Sequence, residues 1–279
     1  MLKKTGRMLI VFMLIFPNAK INIGLNITGR RHDGYHNLET IFYPVKIHDA
    51  LEVIESEQLT FQSSGIPIPG RVDDNLCIKG YHLLKKDHDL PPVKIHLHKK
   101  IPIGAGLGGG SADAAFFIRL MNQLFELGLS VDDMMAYTRR LGADCSFFIE
   151  SKPVFAYGIG DEFNPVGLDL SGYKIVLVMP PAHVSTGEAY RGVTPVMPGN
   201  SLQELISLPV AEWKTLIKND FEKSVFKNHA VVRGVKAALY NAGAIYASMS
   251  GSGASVFGIF NEMPDLSHLE GENTVFYNV

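Results

Sequence analysis

An α+β fold in two lobes is what this sequence predicts, on three observations. Strand-like and helix-like segments are mixed along the chain without strict alternation, which argues against a regular βαβ wind. A glycine-dense loop near the middle feeds straight into an amphipathic helix. The chain has 279 residues, 46% apolar and 19% charged, enough to bury a sizeable core as one large domain or two modest ones. The text changes character between residues 160 and 180, so the lobes are expected at 1–165 and 166–279.

The elements follow in order. Lys3, Lys4 and Arg7 precede the apolar run Met8 to Phe16, which imitates a secretory signal. The run is shorter than the roughly 20 residues a bilayer needs. Pro17-Asn18-Ala19-Lys20 makes a poor cleavage site, so a buried strand is expected, with Met8 a possible true start. Further strands are read at Ile21 to Thr28, Thr40 to Ile47, Leu51 to Glu55 and Leu59 to Gln62. Asp73-Asp74-Asn75 starts a helix that runs to about Lys86. Val93 to His98 alternates apolar and polar, a half-buried strand. After the glycine loop a helix runs from Ser111 to about Leu127. Ser130 caps another, with Val131, Met134, Met135, Thr138 and Leu141 inward. Pro153 to Tyr157 and Lys174 to Met179 are strands, and Ser185 to Ala242 is largely helical. Ile245 to Met249 and Ala254 to Phe260 flank a second loop, Ser250 to Gly253, expected to support the first. The last residues, from Thr274, can form a final strand.

Composition narrows the function. A net charge of −2, from 26 basic and 28 acidic side chains, gives no bulk electrostatic reason to bind nucleic acid. Two cysteines, Cys77 and Cys145, cannot build a disulfide framework or a zinc knuckle, which fits a reducing, cytoplasmic compartment. His96 and His98 share a strand face with no third ligand to name, so they read as exposed positions.

Five of the seven residues from Gly104 to Gly110 are glycine. Without Cβ atoms, backbone N–H groups can converge on one point. The helix start beyond them adds unpaired N–H groups and the positive end of a dipole. This is a phosphate cradle. A Cβ at Gly109 is expected to intrude on it and to forbid a positive φ there. It is not a P-loop, because no lysine follows Gly110. Gly104-x-Gly106-x-x-Gly109 matches the dinucleotide fingerprint only formally, since Lys99 to Pro102 separate it from its strand and no acidic residue ends a second strand. A protein kinase would need His-Arg-Asp and Asp-Phe-Gly, which are missing.

The run Pro102-Ile103-Gly104-Ala105-Gly106-Leu107-Gly108-Gly109-Gly110-Ser111-Ala112 resembles the phosphate loop of the GHMP kinases, small-molecule kinases related to galactokinase, homoserine kinase and mevalonate kinase. Pro17 to Asn22 and Met249 to Phe257 sit where that family has its other motifs. Arg31 to Thr40, Asp74-Asn75-Leu76 and Leu141 to Phe148 are similar to the members that act on 4-diphosphocytidyl-2-C-methyl-D-erythritol, a step toward isoprenoid precursors. The resemblance implies a two-lobed fold with the active site between the lobes, ATP bound by residues 102–112, Mg²⁺, and a small-molecule alcohol as acceptor. It places an active-site lysine at Lys20 and a catalytic aspartate at Asp144. Substrate contacts fall to Asn22, Tyr35, His36, Thr186 and Tyr190, the last stacking on a cytosine face. Ser111 would hold Mg²⁺ or a phosphate oxygen.

On pattern alone these residues have plainer readings. Lys20 fits a solvent-facing strand lysine, Asp144 a turn or cap, Tyr190 a helix-core aromatic and Asn75 a helix cap. Asp113 reads as a dipole partner in the first helical turn. A kinase for another alcohol and a noncatalytic nucleotide- or RNA-binding protein are the alternatives. A cytosine clamp argues against the first, and the Lys20 and Asp144 pair against the second.

Overall fold

The computed structural model describes residues 12–279. Its strands are β1 (Phe12–Ile15), β2 (Asn18–Arg30), β3 (His36–His48), β4 (Ala50–Glu55), β5 (Thr60–Gly65), β6 (Val93–Lys99), β7 (Val154–Tyr157), β8 (Glu162–Pro165), β9 (Lys174–Met179), β10 (Tyr246–Met249), β11 (Val256–Phe260) and β12 (Thr274–Phe276). The helices are α1 (Leu76–Leu84), α2 (Gly109–Leu124), α3 (Val131–Arg139), α4 (Phe147–Glu150), α5 (Thr186–Arg191), α6 (Leu202–Leu205), α7 (Val210–Leu216), α8 (Phe221–Asn228), α9 (Ala230–Asn241) and α10 (Ser267–Glu270). The mixture is α+β.

The strands form three four-stranded sheets, in the orders β1-β4-β6-β5, β2-β3-β7-β8 and β10-β11-β9-β12. Ladders are antiparallel except the parallel β5–β6 pair. The first sheet buries one face: Leu51, Val53, Ile95 and Leu97 pack on Tyr81 of α1 and Phe117 and Met121 of α2. The third sheet buries both. Val176, Ala247 and Val256 meet Val225 and Leu239 of α8 and α9. Its other face, with Leu177, Tyr246 and Phe257, joins Ile21, Ile23 and Ile41 of β2 and β3 and Trp213 of α7. One core therefore draws on residues from both sides of the connection between β8 and β9.

Local signals set several boundaries. Asn75 caps α1 by accepting from the Cys77 amide at 2.9 Å, and Ser130 with Asp133 forms a capping box at α3. The stretch read as largely helical is five short helices, interrupted near Gly192, Pro195, Pro198 and Pro209. The N-terminal apolar run differs from expectation. Residues 8–11 lie outside the described part, and β1 is an edge strand whose Leu14 is 52% exposed while Met13 and Ile15 face the core. Its burial is one-sided because only one face of this sheet is covered. Val131, expected inward on α3, is exposed.

Asp113 also departs from its reading. It sits one turn into α2, buried, and pairs with Lys99 at 2.7 Å. Lys99 is paired in turn with Asp49, whose other oxygen accepts from the Lys100 and Ile101 amides. The cluster joins both ends of the glycine loop to the β3–β4 corner. Burial pushes Asp113 up to about 7 against the pull of Lys99. Burial pulls Lys99 down, but the two carboxylates outweigh it and hold its pKa above the usual value. Below its raised pKa the native Asp113 keeps a proton that the unfolded chain releases above about pH 4. Its stabilising contribution is complete below about pH 4 and lost as pH rises through 7. Asp113→Asn removes this dependence. Urea unfolding is expected to show the parent losing stability relative to the variant between mildly acidic and mildly alkaline pH; parallel pH curves would contradict it.

Candidate active site

The glycine loop lies between β6 and α2, and its glycines serve different ends. Gly104, Gly106 and Gly108 have φ of +69°, +77° and +70°, the left-handed region that favours glycine. A Cβ on Gly106 would fall 2.0 Å from the Ser250 carbonyl oxygen. Gly109 differs from expectation: it opens α2 without a positive φ, and a Cβ there would meet Ile101 at 2.8 Å and Lys99 Nζ at 2.9 Å. It permits close helix–strand packing, and it also lines the cleft. Gly110 faces open space, and the first N–H groups of α2 have no intrahelical partner. The side chains of Ala105 and Leu107 are buried and anchor the loop; Ala112 is buried and does not line the cleft.

The second loop supports the first. Ser250 Oγ donates to the Gly106 carbonyl at 2.9 Å, and the Ser255 amide donates to the Ala105 carbonyl at 3.3 Å. Asn219, just before α8, holds this floor from below through Met249 and Gly251 carbonyls, each at 2.8 Å. Thr186, at the start of α5, reaches Ser252 at 3.4 Å between hydroxyls.

Lys20 is not a solvent-facing lysine: it is 3% exposed. The glycine loop docks on the free edge of β2, with the Lys20 amide donating to the Leu107 carbonyl at 3.0 Å. The Lys20 ammonium donates to Asn22 Oδ1 and to the Gly106 carbonyl, lies 3.4 Å from Asp144 Oδ2, and sits 5.0 Å above the Phe42 ring. Burial pulls its pKa down, partly offset by Asp144. Asp144 comes from a tight turn, Ala143–Ser146, after α3, and its side chain is 36% exposed. Asn22 is 3% exposed and its amide is committed, accepting from Lys20 and donating to Thr40 at 3.0 Å.

These groups face one cleft of about 1140 Å³. The glycine loop, Ser111, Lys20 and Asp144 line it, together with Tyr35, His36, Thr186 and Tyr190, and with Phe61, Val72 and Asn75. The aromatic residues are not posed as an open clamp. His36 stacks directly on Tyr190, centroids 4.9 Å apart, so no ring fits between them. Tyr190 meets buried Phe221 edge-on at 4.8 Å, so it serves the core and the cleft together. Tyr35 is 62% exposed. His96 and His98 flank Ser64 Oγ at 3.2 and 3.0 Å, away from the cleft lining.

Sequence reasoning did not pick out Thr40, Asn219, Asp49 or Lys99. A signal existed for Lys99. Val93, Ile95 and Leu97 are buried on alternate positions, and the same period carries Lys99 inward, where a cation needs partners.

Family models match in two places: GHMP kinases N terminal domain over residues 75–152 and GHMP kinases C terminal over residues 202–269. A 4-diphosphocytidyl-2-C-methyl-D-erythritol kinase from Parabacteroides distasonis is 53% identical over 90% of this chain and 92% of that protein. One from Bacteroides fragilis is 52% identical over 93% and 96%. A crystal structure of 4-(cytidine 5'-diphospho)-2C-methyl-D-erythritol kinase superposes with a TM-score of 0.80 at 28% identity, covering 95% of this chain and 98% of that one. The Methanococcus jannaschii mevalonate kinase shares the fold at a TM-score of 0.63 and 16% identity. With that identity sustained over at least 90% of its length, the chain belongs to the GHMP kinases, among the 4-diphosphocytidyl-2-C-methyl-D-erythritol kinases.

Proposed function

We propose that this protein transfers the γ-phosphoryl group of ATP to the 2-hydroxyl of 4-diphosphocytidyl-2-C-methyl-D-erythritol, giving ADP and the 2-phosphate. The observation that carries the reading is the meeting of Lys20 and Asp144, 124 positions apart in the chain, at 3.4 Å on the wall of a cleft that the glycine loop also lines. Phosphoryl transfer asks mainly for positioning and charge neutralisation, and this cleft offers both.

The loop and the start of α2 are assigned to the triphosphate, through backbone N–H groups and the helix dipole. Asp144 is assigned to the acceptor hydroxyl: it takes the proton as the hydroxyl oxygen bonds to the γ-phosphorus and the bond to the ADP oxygen breaks. Lys20 pairs with Asp144 and offers positive charge to the transferring group. Mg²⁺ fits the chemistry of the site, since Ser111 brings a hard oxygen to the cleft from the first turn of α2. Ser111 would hold the ion, which would supply neutralisation of phosphate charge. The cytosine is assigned to the face of Tyr190 that His36 now covers, so His36 must swing aside and can then meet the base edge. Asn22, with both amide atoms engaged, is assigned to holding Lys20 rather than the substrate.

The reading is tested by coupling ADP release to phosphorylation of the cytidine substrate, with homoserine and mevalonate as controls. Turnover of a control alone would transfer the protein to another alcohol. Asp144→Asn is expected to lower kcat by roughly 10²–10⁴ while ATP still binds; near-parental turnover at saturating substrate would return Asp144 to a turn residue. Tyr190→Ala is expected to weaken the cytidine substrate by about 1–3 kcal/mol with ATP affinity kept. If the variant loses ATP binding or unfolds, Tyr190 belongs to the core through Phe221.

A further inference from the structure

The polar chain behind Lys20 runs along the cleft wall through Asn22 to Thr40. Gly24 interrupts β2 at a register shift between Ile23 and Leu25, with φ +71°. Its carbonyl accepts the Thr40 hydroxyl proton at 2.6 Å. A hydroxyl has one proton, so toward Asn22 Thr40 acts only as an acceptor. It therefore takes the Asn22 Nδ2 hydrogen at 3.0 Å, which turns Asn22 Oδ1 to the Lys20 ammonium. The reverse orientation would set an amide N–H₂ against an ammonium, donor against donor. Ser250 acts on the same unit. Its proton goes to the Gly106 carbonyl, and its oxygen accepts the Asn22 backbone amide at 3.1 Å. Thr40, Asn22, Lys20 and Ser250 are all at most 3% exposed, so bulk water competes little for these bonds.

We propose that Thr40 is a positioning residue for phosphoryl transfer: its hydroxyl fixes the amide of Asn22 and, through it, the ammonium of Lys20 against Asp144. The proposal rests on the kinase reading above. Asp144 is the one charged group facing Lys20 among the described residues; its other neighbours are the Asn22 amide, the Gly106 carbonyl and the Phe42 ring. Without Thr40 as acceptor, the Asn22 amide is free to turn. The ammonium then loses one of its acceptors and becomes easier to deprotonate.

Thr40→Val keeps the shape and deletes the hydroxyl; Thr40→Ser keeps the hydroxyl and deletes the methyl. Thr40→Val is expected to lower kcat roughly tenfold to hundredfold, with KM for both substrates nearly unchanged. The alkaline limb of its kcat profile should move to lower pH. Thr40→Ser should recover most of the loss, which a packing role for the methyl would not allow. If Thr40→Val fails to fold, Thr40→Ala against Thr40→Ser makes the same comparison. Parental kcat and pH profile in Thr40→Val, or equal defects in the valine and serine variants, would overturn the proposal. An inactive parent would instead overturn the kinase reading. The Thr40 proposal would then be judged by NMR titration of isotope-labelled lysine, where Thr40→Val must lower the pH at which Lys20 loses its proton.

Discussion

The site is organised around one buried ammonium. Lys20 is withdrawn from water on a strand whose first eight residues, Asn18 to Leu25, are all buried, and such a cation persists only if the protein supplies acceptors in fixed places. Each acceptor has a structural cause. The Gly106 carbonyl turns inward because Gly106 takes a left-handed conformation over the Ser250 carbonyl. Ser250 is held there by a loop whose carbonyls are tied to Asn219. Asn22 presents its oxygen because a bulge at Gly24 aims a carbonyl at Thr40. Asp144 arrives from the opposite wall on a tight turn. The two glycine loops, the bulge and the start of α8 are separate in sequence, yet all bear on where one nitrogen sits.

A second buried lysine makes the contrast. Lys99 and Lys20 are equally buried, but Lys99 faces two carboxylates and its pKa is held up, whereas Lys20 faces one and its pKa is pulled down. Lys99, overcompensated, braces the two ends of the glycine loop against the β3–β4 corner. Lys20, undercompensated and beside the cleft, keeps positive charge that a phosphate can use. Residue type is the same, and the two carboxylates beside Lys99 against one beside Lys20 set the directions apart.

Much of this was legible in the chain. The glycine density of 104–110 and the helix after it identify a phosphate cradle because composition alone decides backbone freedom there. The alternation in β6 gave the strand and its half-burial. What was not legible depends on neighbours distant in sequence. That Gly109 is required by the approach of Ile101, and not by its φ, needs the β6–α2 packing. That Asn22 is turned to Lys20 needs Thr40, which the ladder of β2 with β3 brings alongside. The edge position of β1 is a matter of sheet order, and a continuous apolar run cannot report whether one face or two will be covered.

The core that draws Ile21, Ile23 and Ile41 together with Leu177, Trp213, Tyr246 and Phe257 has a thermodynamic consequence. Each part would expose its side of this shared core if the other were lost, while the first sheet with α1 and α2 closes a core of its own. The shared core couples the stability of the two parts. Loss of packing at Trp213 would reach the strand that carries Lys20.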